Sequence, residues 1–211
     1  KTKFKASKIA NLTDARYFAA WYVDYLGYDM IQGSDTRIGM NEFIAMNEWV
    51  EGPEAVLEIG SFPSEELVKA IIESKDIKIV EVGMFCSQEI IRQLAEAEKS
   101  IFFNLVLSKD LELDELREEL NHFKDYITHY VIDLNQLDSN WTDGEFAGFI
   151  KELIKEKRVF LDGNIPISSM DHFLKEWNNT GLSAKGGEEE KVGFKSYDEL
   201  DEIFEALEIF E

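Results

Sequence analysis

Between Phe4 and Phe210 the chain alternates eight times between a short apolar run and a longer stretch with apolar residues at helical spacing. Strict alternation of this kind demands parallel strands joined by helical crossovers. Eight such units with no linker, low-complexity segment or Pro/Gly-rich break between them predict a closed (β/α)8 TIM barrel, one parallel eight-stranded barrel ringed by helices. At about 26 residues per unit it sits at the small end of that fold's range. The whole of residues 1–211 reads as a single domain. An open doubly wound sheet is the competing architecture, but no Gly-x-Gly-x-x-Gly follows a strand.

The predicted strands are Phe4–Ile9, Tyr25–Ile31, Ala55–Ile59, Ile77–Val82, Ile101–Leu107, Ile127–Leu134, Val159–Leu161 and Leu182–Ala184. The first helix starts at Leu12 behind an Asn11 cap, with Asp14 in its first turn and Ala15, Phe18, Ala19 and Tyr22 as its apolar stripe. The helix over Met40–Val50 carries Phe43, Ile44 and Trp49. Further helices are predicted over Ser64–Ser74 (introduced by Pro63), Gln88–Ala97, Leu113–Phe123, Gly144–Lys155, Ser168–Trp177 and Ser196–Phe210. The Glu188–Glu190 run between the last strand and the last helix reads as a solvated loop.

Charge narrows the partners. A net charge of -21 argues against nucleic acid and against anionic membrane surfaces. No apolar run approaches the roughly 20 residues of a membrane span, and the basic start at Lys1, Lys3 and Lys5 leads into no apolar segment of a signal peptide. The single cysteine, Cys86, excludes an intrachain disulfide and suits a reducing, cytoplasmic setting. No cofactor and no metal ion is expected: the carboxylate run lies on a loop, and Cys86 has no second cysteine or paired histidine. So acidic a chain repels anions at long range, and a phosphate would need a local cradle of backbone amides. Gly186 and Gly187, adjacent at the end of the last strand, offer one where barrels usually hold phosphate.

Lys5–Ala15, with Tyr25-Leu-Gly-Tyr28 after the helix, resembles the opening Lys-Ile-Cys-Gly-Ile-Thr-x-x-x-Asp-Ala and Leu-Gly-Phe of the phosphoribosylanthranilate isomerase family. Asp35-Thr-Arg37 resembles that family's Ser-Pro-Arg, Leu161-Asp-Gly-Asn-Ile165 its Leu-Ala-Gly-Gly-Leu, and Gly181–Leu207 its last strand, phosphate loop and helix. The family performs an Amadori rearrangement in tryptophan biosynthesis with a cysteine base and an aspartate acid. The resemblance implies Asp133 as the acid, Arg37 as a substrate contact, and Gly163 and Gly187 in the phosphate loops. Ser7 stands in place of the cysteine, Lys8 in place of the next glycine, and Glu81-Val-Gly-Met84 in place of Gln-Leu-His-Gly. Asn164 takes the place of a phosphate glycine, and Lys185 and Gly186 that of the two serines. The Gly-Gly-Thr-Gly loop gives way to Gln136–Trp141, and Asp162 precedes Gly163 where a small residue is usual.

With Ser7 and Asp133 facing inward, period-2 alternation turns Lys5 and His129 inward too. Glu58, Glu81, Asn104, Asp162 and Ser183 are the polar residues interrupting the other apolar strands. An unpaired polar group buried there costs roughly 2–7 kcal/mol, so Lys5 is expected to centre a network with Glu58, Glu81 and Asp133. His129 is expected below Asp133 in a structural role. Neither His122, at a helix end where a cation suits the dipole, nor His172, on an exposed-looking helix, reads as a ligand. The candidate site is thus Ser7 and Asp133 as catalytic groups, Lys5, Arg37 and Glu81 as substrate contacts, and Gly163, Asn164, Lys185, Gly186 and Gly187 as the phosphate cradle. Lys185 either faces the phosphate or pairs with Asp162 and closes the site. The expected activity is an Amadori-type aldose–ketose isomerisation of a small phosphorylated sugar. The alternatives are a barrel without catalysis that serves as a binding or assembly partner, and an isomerase or aldolase for another sugar phosphate, with Lys5 as the inward amine a Schiff base would need.

Overall fold

The computed structural model describes residues 2–137, 141–163, 170–178, 180–186, 189–191 and 194–210. In chain order the barrel units are β1 (Phe4–Ile9) and α1 (Leu12–Ala20), β2 (Tyr25–Asp29) and α2 (Met40–Asn47), β3 (Glu54–Gly60) and α3 (Glu65–Glu73), and β4 (Ile79–Gly83) and α4 (Gln88–Glu96). They continue with β5 (Ser100–Ser108) and α5 (Leu113–Asn121), β6 (Ile127–Gln136) and α6 (Glu145–Glu156), and β7 (Arg158–Asp162) and α7 (Met170–Glu176). Last come β8 (Thr180–Lys185), β9 (Glu189–Lys191), β10 (Phe194–Lys195) and α8 (Asp198–Phe210). Strands β1 to β8 pair in sequence order, all parallel, and β8 pairs back onto β1, so the barrel is closed. This is the (β/α)8 fold the alternation predicts.

The helices start where local chemistry satisfies their free N–H groups. Asn11 accepts from the Asp14 N–H, Ser64 from the Leu67 N–H and Ser87 from the Ile90 N–H. The pattern and the structure part company most at the ends of α1 and α2 and after β8. Helix α1 stops at Ala20, and Tyr22, in a left-handed turn at φ 56°, is 81% exposed rather than part of the apolar stripe. Helix α2 stops at Asn47, which leaves Trp49 67% exposed; of its expected stripe, Phe43 alone is buried. The acidic stretch after β8 is not a plain loop but carries the antiparallel pair β9–β10. In each case the apolar or charged pattern ran past the point where the barrel could use it.

Most of the core lies between the strands' outer faces and the helices, as it must where helices cover a parallel sheet. Inside the barrel, a separate apolar layer of Val56, Ile79, Phe102, Val131 and Phe160 fills the lower part, with Tyr25 packed against it. His129 belongs here, its ring centroid 4.2 Å from that of Phe102. Burial, seconded by nearby Arg158, lowers its pKa to about 4, so the ring is neutral packing material, the structural role expected of it. Cys86 is buried in the β4–α4 turn, and burial raises its thiol to about 11. Among the described residues no helix is long and apolar enough to cross a membrane.

Candidate active site

Above the aromatic layer the barrel interior changes from apolar to charged. Lys5 on β1 is wholly buried; its ammonium donates to Glu58 Oε1 at 2.5 Å and to Ser7 Oγ at 2.8 Å, and lies 2.9 Å from Glu81 Oε2. Glu58 and Glu81 are direct neighbours across β3 and β4. Two carboxylates side by side in a dry wall are tolerable only with a cation between them. Gly27 on β2 makes the arrangement possible, because a Cβ there would lie 2.0 Å from Glu58 Oε1 and 2.8 Å from Lys5 Nζ. Burial pulls the Lys5 ammonium's pKa down, but Glu58 and Glu81 more than reverse this and hold it well above the ordinary lysine value.

Glu81 is held differently from Glu58. Its Oε1 accepts from Asn104 Nδ2 at 3.0 Å. Its enclosed Oε2 is held by the Lys5 ammonium as an ion pair at 2.9 Å. Burial is the largest influence on its pKa and Lys5 opposes it; with Glu58 adding like charge, the carboxyl rises to about 7.

From Ser7 a second chain of polar groups runs round the wall. Ser7 Oγ lies 2.9 Å from Ser183 Oγ, which donates to Asp162 Oδ2 at 3.1 Å. Asn135 Nδ2 reaches both Asp162 Oδ1, at 3.3 Å, and Asp133 Oδ1, at 2.9 Å. Asp133 and Asp162 are themselves neighbours across β6 and β7. Burial and the charge of Asp133 raise the Asp162 pKa, against the pull of Lys185 and Lys5.

These side chains surround a cavity of about 520 Å³ at the C-terminal ends of the strands. Ser7, Glu58, Glu81, Asn104, Asp133 and Asp162 face it, with Lys8 and Lys185 as its basic residues and Ile31, Val82, Met84, Phe85 and Val106 as apolar wall. This is the end at which barrels carry their active sites.

The expected site residues are therefore brought together only in part. Ser7, Glu81, Asp133 and Lys185 line the cavity, while Lys5 lies behind its wall and acts through its carboxylate partners. Among the described residues Asp133 makes no direct contact with Lys5 and connects to it only through Asn135, Asp162, Ser183 and Ser7; Asn135, two residues on, occupies its Oδ1 with both backbone and side-chain N–H. Arg37 is exposed on the β2–α2 loop and is absent from the lining. Gly163 closes β7 at φ 150°, where a Cβ would lie 3.1 Å from Leu134 Cβ. Gly186 packs on the α1 start, since a Cβ there would fall 2.9 Å from the Asp14 carboxylate. Asn164 and Gly187 lie outside the described residues. Lys185 is exposed at the mouth; among the described residues no ion pair within 4.0 Å joins it to Asp162, so that pair does not close the site.

Two buried carboxylates went unforeseen. Asp29, at the end of β2, accepts from Ser34 Oγ at 2.5 Å and Thr36 Oγ1 at 2.6 Å and so fixes the β2–α2 loop; Lys8 Nζ lies 3.6 Å away. Asp14 accepts from Asn11 Nδ2 at 2.8 Å and from Tyr197 Oη at 2.5 Å, tying the chain ahead of α8 to α1. Lys8 itself carried a signal. It stands where the resembling family has glycine, and it adopts φ 58°, a left-handed conformation that favours glycine.

Comparison with solved structures places this barrel beside phosphoribosyl anthranilate isomerases. Residues covering 99% of the chain superpose on 100% of the enzyme from Thermus thermophilus, with TM-score 0.70 and 20% identity. The enzyme from Thermotoga maritima matches with TM-score 0.73, 15% identity and 99% coverage of both chains. A KGPDC from Streptococcus mutans follows at TM-score 0.62 and 14% identity over 97% of this chain and 98% of that one. No protein-family model matches the sequence. No curated protein matches it by sequence either. Identities this low show a shared barrel, and chemistry has to be argued from the cavity.

Proposed function

We propose that this chain is an aldose–ketose isomerase of the phosphoribosylanthranilate isomerase kind, acting in the cytoplasm on a small phosphorylated amino sugar. The observation that carries the reading is the division of the cavity wall. Carboxyl groups from β3, β4, β6 and β7 line most of the wall, and Lys185 stands at the end of β8 where a phosphate would be met. In this reading Asp133, at the C-terminal end of β6, donates the proton that opens the sugar ring. The cationic Lys185 takes over from the serines that the resembling family uses at the phosphate. Ser7 does not serve as the base, because Lys5 donates to its hydroxyl and no histidine adjoins it. Nor does Lys5 serve as a Schiff-base amine. It is charged, enclosed and bonded to a carboxylate, the opposite of a desolvated neutral amine.

Purified protein should isomerise phosphoribosylanthranilate and rescue a tryptophan auxotroph lacking that step. Lys185→Ala should raise KM for the phosphorylated substrate by about 10-fold or more, as loss of a charge-assisted contact does. A second reading, a barrel that binds without turnover, draws on the engaged Ser7 hydroxyl and the outward Arg37. Saturable binding of the same substrate without product would select it.

A further inference from the structure

The carboxyl of Glu81 has no counterpart in the catalytic pair expected of this barrel, and its surroundings set it apart from the other acids of the cavity. Glu58 is committed: one oxygen accepts from Lys5, the other from the Lys8 backbone N–H at 3.0 Å. Asp133, which accepts from Asn135 at Oδ1, is the acid of the reading above, and Asp162 is committed to Ser183 and Asn135. Glu81 lines the cavity with Oε2 enclosed and turned to Lys5, which leaves Oε1, the oxygen that accepts from Asn104, to meet a reactant. Lys5 supplies a positive charge from behind, through Oε2.

We propose that Glu81 is the general base of this active site, the group that removes the carbon-bound proton, with Lys5 and Asn104 as positioning residues. The proposal rests on the isomerase reading above and adds the catalytic group it lacks at Ser7. Glu81 Oε1 takes the proton from the carbon next to a protonated imine. The C–H electron pair becomes the new C=C bond, and the imine π pair returns to nitrogen. The enaminol then becomes the ketone as its hydroxyl gives up a proton and the former imine carbon gains one, with no oxidant or reductant required. A base that works near neutrality needs a pKa close to 7, and burial, Lys5, Glu58 and the Asn104 hydrogen bond together set the Glu81 value at about 7. The facing groups are Lys5 from β1, Glu58 from β3 and Asn104 from β5, with Asp133 and Asp162 across the cavity.

The test measures turnover of phosphoribosylanthranilate and, separately, exchange of solvent deuterium into ribose 5-phosphate, for wild type, Glu81→Gln, Glu81→Asp and Asn104→Ala. Glu81→Gln should lower kcat by about 100-fold or more with KM nearly unchanged, and Glu81→Asp should recover part of the loss. Wild-type activity should fall as pH drops below about 7. Asn104→Ala, which removes a hydrogen bond favouring the ionised carboxyl, should move that limb to higher pH, a shift a purely structural role would not produce. Turnover by Glu81→Gln within a few-fold of wild type would overturn the assignment and leave the isomerase reading standing. Deuterium exchange lost in Glu81→Gln, with no turnover of phosphoribosylanthranilate by wild type, would support the base and overturn the substrate. Wild type inert in both assays would overturn both.

Discussion

The lower and upper halves of the barrel interior are equally buried and opposite in chemistry. Below, Phe102, Phe160, Val56, Ile79 and Val131 pack with the neutral ring of His129. Above, Lys5, Glu58, Glu81, Asp162 and Ser183 occupy the barrel wall a few residues further on. The lower layer gains its free energy from apolar area, which nearly any well-packed set of side chains would supply. The upper layer gains little net stability, because desolvating charges offsets most of their attraction. A fold would not need it, and its cost makes sense where the charges face a cavity that binds something.

The largest effects should come from truncating one member of each layer. Lys5→Met leaves Glu58 and Glu81 adjacent, buried and without their cation, and should destabilise by about 3–5 kcal/mol in urea unfolding. Phe102→Ala opens a void in the lower layer and should cost a similar amount, about 3–5 kcal/mol. The two separate on reversal. Glu58→Leu added to Lys5→Met should return part of the loss, since it removes a charge left unpaired, whereas it should return nothing to Phe102→Ala. Equal behaviour of the two double variants would erase the distinction between the layers.

Next in size is the pH response of the upper layer. Glu81 keeps its proton in the folded protein up to about 7, while an ordinary glutamate releases it near 4.5. The folded state therefore binds more protons between those values, and stability falls as pH rises from 4.5 to 7. At about 1.4 kcal/mol per pH unit the contribution is about 3 kcal/mol at most. Glu81→Gln, which mimics the protonated form, should remove this fall. An unfolding free energy whose pH slope is the same in wild type and variant would place the Glu81 carboxyl in an ordinary environment.

How far each layer could be read in the sequence follows from the same contrast. The barrel itself is legible because alternation, start signals such as the Asn11 cap and Pro63, and strand periodicity are local. The Lys5–Glu58–Glu81 cluster was legible because a charge in an apolar strand has to find a partner, and Lys5 was the inward cation. Asp133, expected beside Lys5 in that cluster, reaches it among the described residues only through Asn135, Asp162, Ser183 and Ser7. Its strand runs on to Gln136, and Asn135 satisfies it locally, a turn-like bond that period-2 counting does not see. Asp14 reads as a first-turn acid and Asp29 falls inside the predicted strand Tyr25–Ile31, so their burial under Tyr197 and the β2–α2 loop, which depends on where distant segments return, is hidden in the sequence. Tyr22 and Trp49 continued a helical pattern beyond the helix itself, since periodicity marks a face and carries no stop signal.

A middle-sized test probes the join between the barrel's backbone and the charges. Gly27→Ala would place a methyl 2.0 Å from Glu58 Oε1. That oxygen cannot swing away without leaving Lys5, so the substitution should cost about 1–3 kcal/mol, the usual range for overpacking. With Glu58 displaced, Glu81 loses a like charge and keeps Lys5, so the activity limb should move to lower pH. A neutral substitution in thermal unfolding would mean the Lys5–Glu58 contact is looser than 2.5 Å implies.

The smallest expected effect belongs to the lower layer, and its sign is the opposite of the upper one. Burial holds the His129 pKa at about 4 against an ordinary 6.5. Between those values the unfolded chain takes up a proton that the folded ring refuses, so stability falls as pH drops from 6.5 to 4. The ring keeps some contact with solvent, and screening makes this effect smaller than that of Glu81. His129→Gln should therefore lose packing against Phe102 at every pH but flatten the acid side of the stability curve. In the doubly substituted protein with Glu81→Gln, the window between about pH 4 and pH 7 should lose both opposing slopes. If His129→Gln steepens the acid side instead, the ring is charged in the folded state, and the lower layer is not the purely apolar floor on which the upper layer's charges stand.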